Sequence, residues 1–166
     1  MKIIIGSPVK GFALKETLKK HLTQQGHQIV DTGCYSTEKF AKYPSIGERV
    51  AYSLVQGEGE LAINICGSGT GAAIGIDKFS GVLAIASESV KTARLARIVN
   101  GANCLCLGED IVTQELACEI ADAFIQAEFL NNPDAKPEIK NFWLEAYNEM
   151  LARGTKPVQR EIEYLD

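Results

Sequence analysis

The sequence predicts an α/β fold: a three-layer α/β/α arrangement around a five-stranded parallel sheet, with an extended C-terminal helix added. Three observations predict it. Short apolar runs alternate along the chain with longer amphipathic ones, the pattern of βαβ units. The third and fifth short runs are apolar almost throughout, as strands buried on both faces are. The third run also ends in a glycine-rich turn that opens a helix, where open parallel sheets place their ligands.

Lys2–Ile5 is the first strand. Phe12, Leu14, Leu18 and Leu22 mark one face of a helix that Gly26 ends. Gln28–Asp31 is the second strand, closed by Thr32-Gly33. A loop through Pro44 leads to a helix striped by Ile46, Val50, Leu54 and Val55 and ended by Gly57. Leu61–Ile65, Val82–Ala86 and Asn103–Leu107 complete the strands. Between them lie a helix from near Thr70 and another over Val90–Val99, and a helix from Thr113 to about Phe129 follows. The layering is Rossmann-like. Asn131-Asn132-Pro133-Asp134 breaks the chain before a last helix with Ile139, Phe142, Trp143, Ala146, Tyr147 and Met150 at helical spacing. That aromatic stripe is expected to pack, on a partner subunit, rather than to bind a cofactor. Residues 1–130 are thus the α/β domain. Residues 131–166 are a helix and charged tail, expected to belong to the same domain and to the subunit interface.

Composition narrows the function. The 166 residues are 46% hydrophobic, enough for one continuous core and too many for intrinsic disorder. A net charge of −4 leaves no electrostatic footprint for nucleic acid or an anionic membrane. No apolar run reaches the roughly 18 residues of a membrane span. The apolar stretch before Gly6 is a strand and not a signal peptide. Five cysteines without framework spacing point to a reducing, cytoplasmic setting.

Chemistry concentrates in Cys66-Gly67-Ser68-Gly69-Thr70-Gly71. Glycines let backbone approach a ligand closely, and the free N–H groups of a helix start favour an anion. Ser68 and Thr70 add hydroxyls. A helix N-terminus also enriches the thiolate form of a nearby cysteine. A thiolate at Cys66 facing N–H donors is suited to removing a proton beside a carbonyl, with the donors holding the enediolate oxygen. The competing reading makes Cys66 a small buried hydrophobe in a tight turn.

Gly67–Ala72 also satisfies G-x-G-x-x-G/A, with Glu88 about 20 residues on, so a dinucleotide site stays open. Gly6–Gly11 has phosphate-loop spacing, but Phe12 stands where lysine is needed, which excludes a Walker loop. Cys104 and Cys106 face one way without a histidine to complete a metal set, and no metal is expected. His21 and His27 are expected to be surface or structural. Arg94 and Arg97 are expected to be solvated helix charges.

The pattern resembles the ribose-5-phosphate isomerase B / galactose-6-phosphate isomerase family of aldose–ketose isomerases. The resemblance runs from Met1 to about Phe129. It rests on Lys2–Ser7, Gly11–Lys15, Gly26-His27, Tyr43-Pro44, Ile65–Gly71, Ala93–Arg97, Asn100, Ala102, Asn103 and Gly108. The longer C-terminal helix is more similar to the galactose-6-phosphate isomerase B-type subunit. The resemblance implies a dimer with sites at its interface, often a tetramer, and isomerisation of a pentose or hexose phosphate through a cis-enediolate without metal or organic cofactor. It implies that Cys66 is the base, Gly67–Gly71 the anion hole, Tyr43 a site-lining residue, and Asn100 a substrate contact from the neighbouring subunit. The chain departs from the family in having Pro8-Val9 for its Asp-His, Val99 for its ring-opening histidine and Asp110 for a basic residue. Lys136 and Lys140, with Lys10, are the nearest substitutes for its phosphate-gripping arginines. The leading expectation is a cytoplasmic sugar-phosphate isomerase with an atypical site, forming a homodimer or homotetramer. A catalytically incomplete subunit that works beside a paralogous partner is the second reading, and dinucleotide binding the third.

Overall fold

The computed structural model describes residues 1–153; the charged tail expected after Gly154 lies outside them. Five parallel strands, β1 (Lys2–Gly6), β2 (Gln28–Asp31), β3 (Leu61–Cys66), β4 (Ala84–Ala86) and β5 (Cys104–Gly108), form one sheet in the order β2-β1-β3-β5-β4. The register sets Ile3–Gly6 beside Leu61–Asn64, and Ala62–Cys66 beside Cys104–Gly108.

Helices cover both faces. On one, α1 (Phe12–Gln24), α4 (Val90–Asn100) and α5 (Gln114–Gln126) enclose a core of Ile3, Ile5, Ile63, Ile65, Leu105 and Leu107 with Leu18 and Phe124. On the other, α2 (Tyr43–Val55) and α3 (Thr70–Ile76) bury Ile4, Ala62, Cys66, Cys104 and Cys106 with Ile46 and Val50. The alternation of side chains along each strand produces this division. The sixth helix, α6 (Pro137–Arg153), buries no residue fully. Its Tyr147 ring meets Phe129 at a centroid distance of 4.7 Å and closes over Gly101, while Ile139, Phe142, Leu144 and Met150 face outward.

Element ends differ from expectation for local reasons. Pro44 lies inside the first turn of α2, where its missing N–H costs nothing. β4 starts two residues late because Val82 is drawn into a turn by its hydrogen bond to the Phe79 carbonyl. Asn103 is a clamp rather than a strand residue, since its side chain bonds the Leu83 amide and the Gly81 carbonyl. α5 stops at Gln126, its cap Ala127 being extended.

One polar device interrupts the first core. The Lys15 ammonium, fully buried, binds both Asp31 oxygens at 2.8 and 3.0 Å and the carbonyls of Gly33 and Cys34 at 2.7 and 2.9 Å. Burial by itself would raise the Asp31 pKa, but hydrogen bonds from Lys15, Lys19 and the Gly33 amide together outweigh it and hold the carboxyl below its ordinary range. A depressed folded pKa stabilises the fold above the unfolded value, near 4, and that contribution fades as pH falls through the folded value. Asp31→Asn is therefore expected to cost about 1–3 kcal/mol at pH 7. The gap to wild type should narrow at pH 3, as measured by urea midpoints at the two pH values.

Candidate functional site

The strand order reverses direction between β1 and β3, and ligands of open parallel sheets settle beyond the carboxyl ends at that point. The β1–α1 loop carries Lys10, and β3 ends in Cys66 before the loop Gly67–Gly69, so both emerge there.

Cys66 is the last residue of β3. It keeps 7% exposure, whereas Cys104 and Cys106 on β5 have none. Its Sγ accepts a hydrogen bond from the Gly69 amide at 3.2 Å. Gly69 makes that turn at φ 77°, and a Cβ there would come within 3.0 Å of the Gly108 nitrogen. Gly108 is tighter still, for its Cβ would sit 2.6 Å from the Ser68 carbonyl carbon. The β5–α5 loop locks the arrangement through amide bonds from Glu109 to the Cys66 carbonyl (2.9 Å) and from Asp110 to the Gly67 carbonyl (3.0 Å). Asn64, buried two residues before Cys66, donates to the Ala72 carbonyl at 3.2 Å and ties β3 to α3.

The outer surface of the loop is polar and open. Ser68 and Thr70 are exposed and share a hydrogen bond of 2.7 Å. The amides at the start of α3 have no partner within their own helix. Tyr43, at the start of α2, lays its ring against Gly71 on one side. On the other, the Lys10 stem lies over Gly67, and its Nζ pairs with Asp110 at 2.6 Å and Glu109 at 3.8 Å. The hydrogen bond to Asp110 raises the Lys10 pKa, keeping the lysine charged. Glu109 also accepts from the Leu14 amide, which fixes the β5–α5 loop to α1.

Thus Cys66, Gly67, Ser68, Gly69, Thr70, Gly71, Tyr43 and Lys10 come together within one chain. Asn100, Lys136 and Lys140 do not join them. α4 starts at the carboxyl edge of the sheet and ends at the amino edge, so Asn100 faces away from Cys66 by the length of the helix. Lys136 and Lys140 follow Leu130, whose amide is bonded to the Ile98 carbonyl at that same amino edge. Arg97 corrects its expectation: half-buried, it donates to the Ala102 carbonyl at 2.7 Å and lies 5.6 Å from the Phe124 ring centre, so it is tied inward. His21 bridges α1 to Asp122 of α5 at 2.8 Å. The Cys104 and Cys106 sulfurs lie 4.0 Å apart, and burial, with the Cys104 contact, pushes the Cys106 thiol well above its ordinary range. Among the described residues no group of three His, Cys, Asp or Glu is placed to hold a metal ion. Glu88 follows β4, which β5 separates from β3, so the acid and the glycine loop are not on neighbouring strands as the dinucleotide fingerprint wants. Two cavities, of about 460 and 370 Å³, open away from this loop, beside Tyr35 and Arg49 and beside Phe79 and Met150.

Sequence reasoning missed Asn64, Glu109 and Lys15. A lone amide inside the apolar run Leu61–Cys66 and a lysine beside the apolar face of α1 were the available signals for two of them.

Comparison with known proteins decides the family. The Ribose/Galactose Isomerase profile matches residues 3–142. The chain belongs to that family. It is 35% identical over 163 residues to 4-deoxy-4-sulfo-D-erythrose isomerase of Clostridium sp. (strain MSTE9), covering 98% of this chain and 96% of that protein. It is 36% identical over 128 residues to ribose-5-phosphate isomerase B of Escherichia coli (strain K12), covering 77% and 85%. The fold superposes on Clostridium thermocellum ribose-5-phosphate isomerase B with a TM-score of 0.84 at 32% identity, over 93% of this chain and 98% of that one. In this family member no described helix is long and apolar enough to cross a membrane.

The glycine packing yields a test. Gly69→Ala forces a side chain into left-handed backbone against the Gly108 and Leu107 main chain. A loss of about 1–3 kcal/mol is expected in urea unfolding, together with a changed rate of Cys66 alkylation by iodoacetamide in the folded protein.

Proposed function

We propose that this family member is an aldose–ketose isomerase of a short sugar with an anionic end, phosphate or sulfonate, acting through Cys66 without a cofactor. The observation that carries the reading is the Gly69 amide donating to the Cys66 sulfur at the β1/β3 switch point. The sulfur thus carries a backbone donor and stands where open parallel sheets bind their ligands. Cys66 removes the proton from the carbon beside the carbonyl. The electron pair of that C–H bond becomes the enediol double bond, and the carbonyl π pair moves onto oxygen. Amides of Gly67–Gly71 and the Ser68 and Thr70 hydroxyls hold that oxyanion. A proton then passes from the C2 hydroxyl to the C1 oxygen of the enediolate, the thiol returns its own proton to C1, and the C2 oxygen becomes the carbonyl, so that aldose has become ketose. Tyr43 walls one side of the substrate.

Two names among the relatives, a ribose 5-phosphate enzyme and a 4-deoxy-4-sulfoerythrose enzyme, share this chemistry, a terminal oxyanion on a chain of four or five carbons. In the proposed assembly a homodimer or homotetramer brings Asn100, Lys136 and Lys140 from a neighbouring copy. The apolar side chains that α6 turns outward support such an interface. All five cysteines are free, in keeping with the cytoplasm.

The test is proton exchange in D₂O beside the carbonyl, followed by NMR at C2 of D-ribose 5-phosphate, D-erythrose 4-phosphate and D-galactose 6-phosphate and at C1 of D-ribulose 5-phosphate. Wild type is expected to exchange at least one of them, and Cys66→Ala to slow that exchange by about 10²–10⁴-fold with the fold intact by circular dichroism. Undiminished exchange in Cys66→Ala removes the cysteine from the mechanism.

A further inference from the structure

We infer that the Cys66 site is built for aldoses that cannot close into a ring, those whose C4 oxygen is blocked or missing so that the aldehyde is always exposed. The inference rests on the isomerase reading and specifies its substrate class.

A sugar that arrives as a cyclic hemiacetal must be opened before the proton beside its carbonyl becomes acidic. Opening breaks the bond between C1 and the ring oxygen. A base takes the proton of the anomeric hydroxyl, and an acid gives one to the departing ring oxygen, which becomes a free hydroxyl. Both transfers are efficient when the groups involved titrate near the working pH. Histidine is the side chain ordinarily poised there.

The ionisable side chains packed nearest to Gly67 and Gly71 are of another kind. Tyr43 lies against Gly71, and Lys10 and Asp110 lie against Gly67. Lysine and tyrosine ordinarily titrate above 10 and carboxylates near 4. Here Lys10 and Asp110 hold each other at 2.6 Å, with Glu109 beside them, which fastens the lysine's proton more firmly. The Ser68 and Thr70 hydroxyls share one hydrogen bond and serve as hydrogen-bonding groups, not as acid or base near neutral pH. Cys66 is committed to the carbon acid.

The whole chain has two histidines, and both stand at the amino edge of the sheet. His21 is held by Asp122 and Gln25 on the α1/α5 flank. His27 precedes β2, the edge strand. A second copy that brought its α4 terminus to Cys66 would not bring these with it. α4 ends between β4 and β5, and at about 4.8 Å per strand His27 is some 15–20 Å across the sheet. His21 is held by Asp122 of α5. The site therefore has the parts for enolisation, and those for ring opening are placed elsewhere.

Three probes separate ring state from chain length and from the isomerase reading itself. They are D-erythrose 4-phosphate, D-ribose 5-phosphate and the 4-deoxy analogue of D-ribose 5-phosphate, which has five carbons but no hydroxyl with which to form the furanose. The initial rate of isomerisation is measured against protein concentration. With D-erythrose 4-phosphate and the 4-deoxy analogue the rate should rise in proportion to protein. With D-ribose 5-phosphate it should level off at the rate of uncatalysed ring opening, at least 100-fold below the analogue. A D-ribose 5-phosphate rate that keeps rising with protein past that plateau shows catalysed opening and overturns the inference, leaving the isomerase intact. Turnover of the tetrose with neither five-carbon probe assigns the selectivity to length and also overturns it. Turnover of none of the three removes the isomerase reading, and this inference with it.

Discussion

The carboxyl ends of β3 and β5 meet with no room for a side chain between them. A methyl group at Gly108 would lie 2.6 Å from the Ser68 backbone, and one at Gly69 would lie 3.0 Å from the Gly108 nitrogen. Backbone therefore packs on backbone, and amide bonds from Glu109 and Asp110 to the Cys66 and Gly67 carbonyls complete the contact. This contact orients the turn so that the Gly69 N–H points at sulfur. Lys10 and Tyr43 then lean on the loop from its two flanks. Donors held by main-chain packing need no reorganisation when charge develops, so a rigid glycine turn serves an oxyanion better than mobile side chains.

Two lysines five residues apart show how burial decides what a charge does. Lys15 is enclosed, and its ammonium is satisfied by Asp31 and two carbonyls. It fastens the loop after β2, which continues toward Tyr43, so a charge inside the core shapes the far wall of the site. A buried ammonium is tolerated because each of its protons has a partner. Lys10 stands in solvent on the rim, paired with Asp110. Being exposed, that pair adds little to stability.

The strands and crossover helices were legible because parallel βαβ units write their periodicity into local sequence, and the run Ile65–Gly71 marked the candidate site. Residues that act across the sheet were not legible. Lys15 and Asp31, Leu14 and Glu109, and Asn64 and Ala72 become neighbours only when separate units stack. Arg97 looked like a solvated charge because nothing local announces that Phe124 and the Ala102 carbonyl will receive it. Asn100, Lys136 and Lys140 illustrate a further limit, for no single chain of this topology can place the end of α4 beside the end of β3.

That last constraint links chemistry to assembly. The rim within one chain carries Lys10 against Glu109 and Asp110, one positive charge facing two negative ones. A phosphate or sulfonate brought beside this group would meet repulsion from the carboxylates before it met the lysine. The neutral polyol end of an anionic sugar suits that flank better, and its hydroxyls could bond either carboxylate. On the proposed reading the anion then lies at the opposite end of the substrate, away from Gly67. Lys136 and Lys140 follow Leu130, which is tied to the Ile98 carbonyl at the amino edge, so on the proposed reading another copy would bring them to the carboxyl edge. On the proposed reading a substrate with a charged end calls for an oligomer, whereas Cys66, its donor Gly69 and the flanking Tyr43 and Lys10 lie together within one chain.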